Sequence, residues 1–280
     1  MTMSAGFATR LAQVFLEFGH LCVGIDPHPF LLKSWGLDDD SRGLRELSFR
    51  TLDACVNHVG IIKPQVAFYE RYGSAGYSIL EELIRRARAA GIIVIADAKR
   101  GDIGTTMDAY NATWLGAGSP LESDAVTVSP YLGVGSLDGT FSLANDAGKG
   151  VFVLAATSNP EGAEIQRGRN ESGQSIAGHI IDEVSRRSVS ATDPGSFGVV
   201  LGATLDLTSF GVDTSSAYPL PVLAPGFGAQ GAMVRDAKHV FGAFAQNIIV
   251  AQTRSILSVG PDAIFEAIRR ESGETADALA

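Results

Sequence analysis

The run Asp97-Ala98-Lys99-Arg100-Gly101-Asp102 sets a lysine between two carboxylates at a spacing that proton chemistry can use. Along an extended segment side chains alternate, so Asp97 and Lys99 share one side and leave a strand together. Asp102 falls in the turn beyond, loosened by Gly101 and Gly104. Neighbouring negative charge favours the ammonium form of a lysine, which makes Lys99 a proton donor and not a nucleophile. On an arbitrary surface the same residues would simply tie a loop together with ion pairs. Lys63, directly before Pro64, has three readings: Schiff-base nucleophile, anion ligand or member of a charge relay. Asp26, in Gly24-Ile25-Asp26-Pro27, could accept hydrogen bonds from sugar hydroxyls or cap the following helix, and the residue alone does not choose.

The elements that must position these residues follow one recurring pattern. A short apolar, β-branched run leads into a polar or glycine-rich turn and then into an amphipathic stretch. Eight runs read as strands: Leu21–Ile25, Ile61–Val66, Ile92–Ala96, Ala125–Val128, Val151–Ala155, Gly198–Leu201, Pro221–Ala224 and Ile248–Ala251. Ile92–Ala96 is apolar without alternation, as a parallel strand covered on both faces should be. Before it, Ile79, Leu80, Leu83, Ile84 and Ala87 form one helical stripe, and Gly91 suits a C-terminal cap. Strands alternating with helices imply βαβ units and a parallel sheet. Eight units fit a single closed (β/α)8 barrel, of the TIM type, better than an open doubly wound sheet. Asp26, Lys63, Asp97 with Lys99, Ser158, Gln230 and Arg254 each fall at or just past the end of a different strand. In a barrel those ends converge on one face, where the active site is built. That convergence favours chemistry over a structural salt-bridge cluster. His28 reads as loop packing.

Pro225-Gly226-Phe227-Gly228-Ala229-Gln230-Gly231 contains the letters of a dinucleotide fingerprint. That fingerprint belongs after the first strand of its fold, with an acidic residue about 20 positions on. Here it follows the seventh strand, and the eighth ends near Arg254. Loops seven and eight of a barrel are its usual phosphate site, so Gly228, Gln230 and Arg254 are expected to hold a phosphate.

Composition narrows the remaining classes. The chain has 280 residues and a net charge of −9, the opposite of what coating nucleic-acid phosphates requires. A few local cations can still hold a small anion. Cys22 and Cys55 have no ligand spacing and read as buried thiols of a reducing cytosol. The five histidines show no zinc-binding pattern, so no metal is expected. No targeting segment or membrane span is evident, and a cytoplasmic location with no membrane partner is expected. Asp38-Asp39-Asp40 reads as a solvated helix start. Residues 1–280 are expected to form one domain, with the tail after about residue 271 frayed.

At these positions the chain resembles the orotidine 5′-phosphate decarboxylases, specifically their longer subgroup from some bacteria and protozoa. The matching motifs are Asp97-x-Lys99-x-x-Asp102-Ile103-x-x-Thr106, Lys63-Pro64, Ser158-Asn159-Pro160, Gly226-x-Gly228-Ala229-Gln230-Gly231 and Arg254-Ser255, in family order. Thr253 departs from the family, many of whose members have glycine there, and the stretch after Ser158 is longer than in short members. The resemblance implies a homodimeric barrel that converts orotidine 5′-monophosphate to UMP and CO₂ with no metal or organic cofactor. It implies that Lys99 protonates C6 and that Asp97, Lys63 and Asp102 complete an alternating charge array. Asp102, Ile103 and Thr106 would reach the partner subunit's site. Asp26 would bind ribose, Ser158 the pyrimidine, and Gln230 with Arg254 the phosphate. Two other readings stay open: a sister barrel performing metal-assisted chemistry on a sugar phosphate, and an idle barrel that senses a nucleotide.

Overall fold

Each apolar run becomes a strand of one sheet. The computed structural model describes residues 5–188, 194–216 and 220–280. The strands are β1 Leu21–Ile25, β2 Ile61–Pro64, β3 Ile93–Arg100, β4 Ala125–Val128, β5 Gly150–Ala156, β6 Phe197–Leu201, β7 Val222–Pro225 and β8 Ile248–Gln252. They pair in parallel in chain order, and β1 closes on β8 with Leu21 opposite Val250, making an eight-stranded barrel. The expected (β/α)8 architecture is the one found.

Alternation along the strands separates two cores. In β1, Leu21, Val23 and Ile25 face the helical layer, whereas Cys22 faces the barrel interior. The helix Phe7–Phe18 sends Phe7, Leu11 and Val14 into that interior, and Phe7 meets Phe152 edge-to-face at 6.0 Å. Full burial of each such side chain stabilises the fold by roughly 1.5–3 kcal/mol. Arg10 of the same helix pairs with Asp124 at 2.5 Å, and Asp124 also accepts the Val94 N–H at 2.9 Å. These contacts lie where β4 begins, so that end of the barrel is filled and the ligand face is the opposite one.

The helices form for local reasons. Gly73–Ala89 buries the Ile79, Leu80, Leu83, Ile84 and Ala87 stripe and carries Arg86 and Arg88 in its last turn, where cations suit the helix dipole. Gly91, at φ +80°, turns the chain out into β3. Asp40 caps the helix Ser41–Cys55 by accepting the N–H groups of Arg42 and Gly43, so the triple-aspartate run is a helix start.

The structure corrects three details. β2 ends at Pro64, because Val66 opens the short helix Val66–Glu70. β3 runs on to Arg100, which pairs with Val128 after a register shift that begins at Ala96 opposite Val126. The tail is not frayed: Ile264–Leu279 is one helix, with Ile268, Glu271 and Thr275 buried. Its inward face continues the apolar spacing of Ile264 and Ile268, which a reading that stopped at Glu271 did not follow. Among the described residues no helix is long and apolar enough to cross a membrane.

Candidate active site

Four charges of alternating sign line up across three adjacent strand ends. Lys63 of β2 sits between Asp26, 3.7 Å away just past β1, and Asp97 of β3, 3.0 Å away. Lys99 reaches the other oxygen of Asp97 at 2.5 Å. The order is therefore Asp26, Lys63, Asp97, Lys99. Thr127 of β4 donates its hydroxyl to the Asp97 Oδ1 at 2.9 Å and accepts the Lys99 N–H at 2.9 Å. Both Asp97 oxygens are thus engaged, whereas Lys99 remains substantially solvent-accessible with N–H donors to spare.

Asp97 and Lys99 meet within β3, as alternation along a strand expects, but the strand is irregular at Lys99. Lys99 adopts φ +48°, one of two non-glycine residues with positive φ among the described residues. The bulge between Ala96 and Arg100 absorbs extra residues against β4, and the Thr127 hydroxyl pins it. A lysine in this region costs of order 1 kcal/mol or more, a strain that collects at functional sites.

Electrostatics keep the array charged. Burial disfavours the Asp97 carboxylate, but Lys63 and Lys99 overcome it and hold its pKa down at about 2. Burial likewise disfavours the Lys63 ammonium, and Asp26 and Asp97 outweigh it, raising its pKa above the ordinary lysine value.

Beside the array opens a cavity of about 330 Å³ walled by Asp26, Lys63, Gly226, Gln230, Thr253 and Arg254. Arg254 makes no ion pair among the described residues and begins the helix Arg254–Leu257. No hydrogen bond engages the N–H of Ala229 or Gln230 among the described residues, so the loop after β7 presents donors beside that guanidinium. A cation and backbone N–H groups at one end, with lysines and carboxylates at the other, suit an anion joined to a polar body. The carboxylates that could ligate a metal are held instead by lysines.

A profile of the orotidine 5′-phosphate decarboxylase / HUMPS family matches residues 19–263. The chain belongs to this family. An orotidine 5′-phosphate decarboxylase from Salinispora tropica is 50% identical over 258 residues, 92% of each chain. Another, from Streptomyces coelicolor, is 48% identical over 257 residues, 91% of each. A Streptomyces avermitilis crystal structure, assigned as a candidate orotidine 5′-phosphate decarboxylase, superposes with a TM-score of 0.94 at 46% identity, covering 99% of this chain and 96% of that one. The Leishmania donovani OMP decarboxylase superposes at 0.79 with 25% identity, covering 98% of this chain and 99% of its own.

Within this member of the orotidine 5′-phosphate decarboxylase family, Asp26, Lys63, Gln230 and Arg254 line the cavity, and Asp97 and Lys99 adjoin it. Ser158 reaches Gln230 across the mouth, donating at 3.3 Å. Gly228 does not line the cavity: its N–H bonds the Ala232 carbonyl at 2.8 Å, so it shapes the loop at φ +68°. Asp102 makes no ion pair with Lys99 and instead accepts the Ile103 N–H at 2.8 Å. Ile103, 62% exposed, and Thr106 point to the outside of this subunit. Sequence reasoning missed Thr127, whose role depends on the bulge, and treated His28 as packing. His28 lines the cavity, stacked with Phe30 and edge-on to Phe68. Burial lowers its pKa against the pull of Asp26, with Arg254 adding to the lowering.

Proposed function

We propose that the protein decarboxylates orotidine 5′-monophosphate to UMP and CO₂ without a metal or organic cofactor, Lys99 donating the proton to C6. The observation that carries this reading is the Asp26–Lys63–Asp97–Lys99 array ending beside an anion site at Arg254. With the phosphate at Arg254, Gln230 and the loop N–H groups, and the ribose at Asp26, the pyrimidine lies over Asp97 and Lys99. Loss of CO₂ leaves an electron pair at C6. A fixed ammonium there stabilises that charge as it develops and then transfers a proton to C6, forming UMP. Asp97, ionised far below neutral pH, faces the departing carboxylate. Two such charges ~4 Å apart repel by about 4 kcal/mol at an effective dielectric of about 20, a cost relieved as CO₂ leaves. Lys63 holds Asp97 and Asp26 in place.

The reading extends to a two-fold homodimer. The exposure of Ile103 and Thr106, and an Asp102 that makes no ion pair with its own Lys99, support the reading that the turn after β3 serves the partner subunit's site. The test is direct. Purified protein treated with EDTA should change the ultraviolet absorbance of added orotidine 5′-monophosphate at the same rate as untreated protein. Activity lost with EDTA and restored by a divalent ion would favour the metal-assisted sister chemistry. Binding of UMP without turnover would favour a sensor.

A further inference from the structure

Thr253 separates Gln252, the last residue of β8, from Arg254, yet its side chain serves the next strand over. Its hydroxyl donates to the Asp26 Oδ2 at 3.0 Å. The contact exists because position 24 is glycine: a Cβ at Gly24 would fall 1.9 Å from the Thr253 Oγ and 3.1 Å from its Cβ. No side chain tolerates the shorter approach, so the glycine of β1 and the threonine after β8 form a matched pair. The other Asp26 oxygen, Oδ1, is buried, takes no hydrogen bond among the described residues and has Lys63 3.7 Å away. Asp26 thus has Oδ2 held by Thr253 and Oδ1 buried beside Lys63, with the carboxylate set in the cavity wall.

We propose that Thr253 is a positioning residue that fixes the Asp26 carboxylate in the cavity wall for a ligand hydroxyl. This rests on the functional reading above, in which that hydroxyl belongs to the ribose. The chemistry separates Thr253 from its neighbour Arg254. A hydroxyl has a single proton, and this one is committed to Asp26, leaving only lone pairs toward the cavity. Lone pairs cannot hold a phosphate dianion, so Thr253 acts through Asp26 and not on the phosphate.

The test compares Thr253→Val, which keeps the shape and removes the hydroxyl, with Thr253→Ser, which keeps the hydroxyl. Hydrogen bonds to charged groups contribute enough that Val should lower kcat/KM for orotidine 5′-monophosphate by about 10-fold or more, while Ser stays within about 3-fold of wild type. Inhibition by inorganic phosphate should be the same in all three proteins, because phosphate does not need Asp26. In an Asp26→Ala background, adding Thr253→Val should leave UMP affinity, read by calorimetry, unchanged. Gly24→Ala, which displaces the hydroxyl, should reproduce the Val defect. Equal melting temperatures of Val and Ser separate the effect from misfolding, and Thr253→Ala serves if Val does not fold. Full activity in the variant lacking the hydroxyl, weaker phosphate inhibition, or additive loss with Asp26→Ala would each overturn the proposal. Absence of turnover in the wild type would instead defeat the functional reading, and UMP binding to the same variants would still test the pairing.

Discussion

Asp97 shows how much one residue can be asked to do. Its two oxygens receive Lys63, Lys99 and Thr127, and the same contacts that orient it keep it ionised. A depressed carboxylate pKa stabilises the fold above the unfolded value of about 3.9, and the contribution disappears as pH falls toward the folded value. With the folded value at about 2, the stability difference between wild type and Asp97→Asn in urea should be constant from pH 7 to 5 and shrink between pH 4 and 2. A difference that stays constant down to pH 2 would mean that the lysines do not hold Asp97 this way. Lys99→Ala should lower turnover by at least about 10²–10⁴-fold, the usual worth of a positioned proton donor, while UMP still binds measurably by calorimetry. Near-wild-type turnover in that variant would remove Lys99 from the chemistry. Arg254 lies at the phosphate end, and charge-assisted contacts to phosphate are among the stronger hydrogen bonds. Arg254→Ala should therefore raise KM about 10-fold or more, and part of the loss can appear in kcat because remote binding energy can be used at the reacting centre. Unchanged KM and kcat would place the phosphate elsewhere.

At the scale of elements, β3 is a strand with a deliberate fault. Its regular part carries Ile93 and Ile95 into the barrel interior, and its irregular end lifts Lys99 toward the mouth. The strain at Lys99 is tolerable because Thr127 and Asp97 over-determine its position. The C-terminal helix Ile264–Leu279 is the other element whose behaviour tests the fold. Its buried Thr275 donates to the Glu271 carbonyl at 2.6 Å, and Ala278 and Leu279 pack on the core. Ending the chain after Glu271 should lower the melting temperature by roughly 2–4 °C for each kcal/mol of packing lost, with several degrees in total expected. An unchanged melting curve would show that the last turns add nothing to stability.

At the scale of the whole molecule, a shared site makes a prediction that single subunits cannot. Consider Lys99→Ala and Asp102→Ala proteins, each inactive, mixed and allowed to exchange subunits. In a two-fold symmetric dimer the mixed species has one site with both lesions and one with neither. Random reassortment makes about half the dimers mixed, so activity should recover toward about a quarter of wild type under isologous pairing. If mass spectrometry verifies exchange and no activity returns, Asp102 serves its own subunit.

Some of this was legible in the residues alone, because the relevant forces are local or periodic. Unalternating apolar runs such as Ile93–Ala96 suit a parallel strand covered on both faces, and eight of them separated by amphipathic stretches leave few topologies. Chemistry gathered at strand ends then marks the mouth, and position along the chain alone places Asp26, Lys63, Asp97, Lys99, Gln230 and Arg254 there. Other features depend on residues far apart in the chain, and periodicity carries no trace of them. Thr127 matters because β4 lies beside the bulge of β3, and the Gly228 N–H is taken by the Ala232 carbonyl while Ser255 would crowd any side chain placed there. His28 stands in the wall of the cavity, stacked on Phe30 and edge-on to Phe68, which lies forty residues further on. Gly24 and Thr253 meet only because the barrel closes β1 onto β8, placing residues more than two hundred positions apart within one hydroxyl's reach. Period and composition decide which segments become elements; closure of the sheet decides which side chains share a carboxylate.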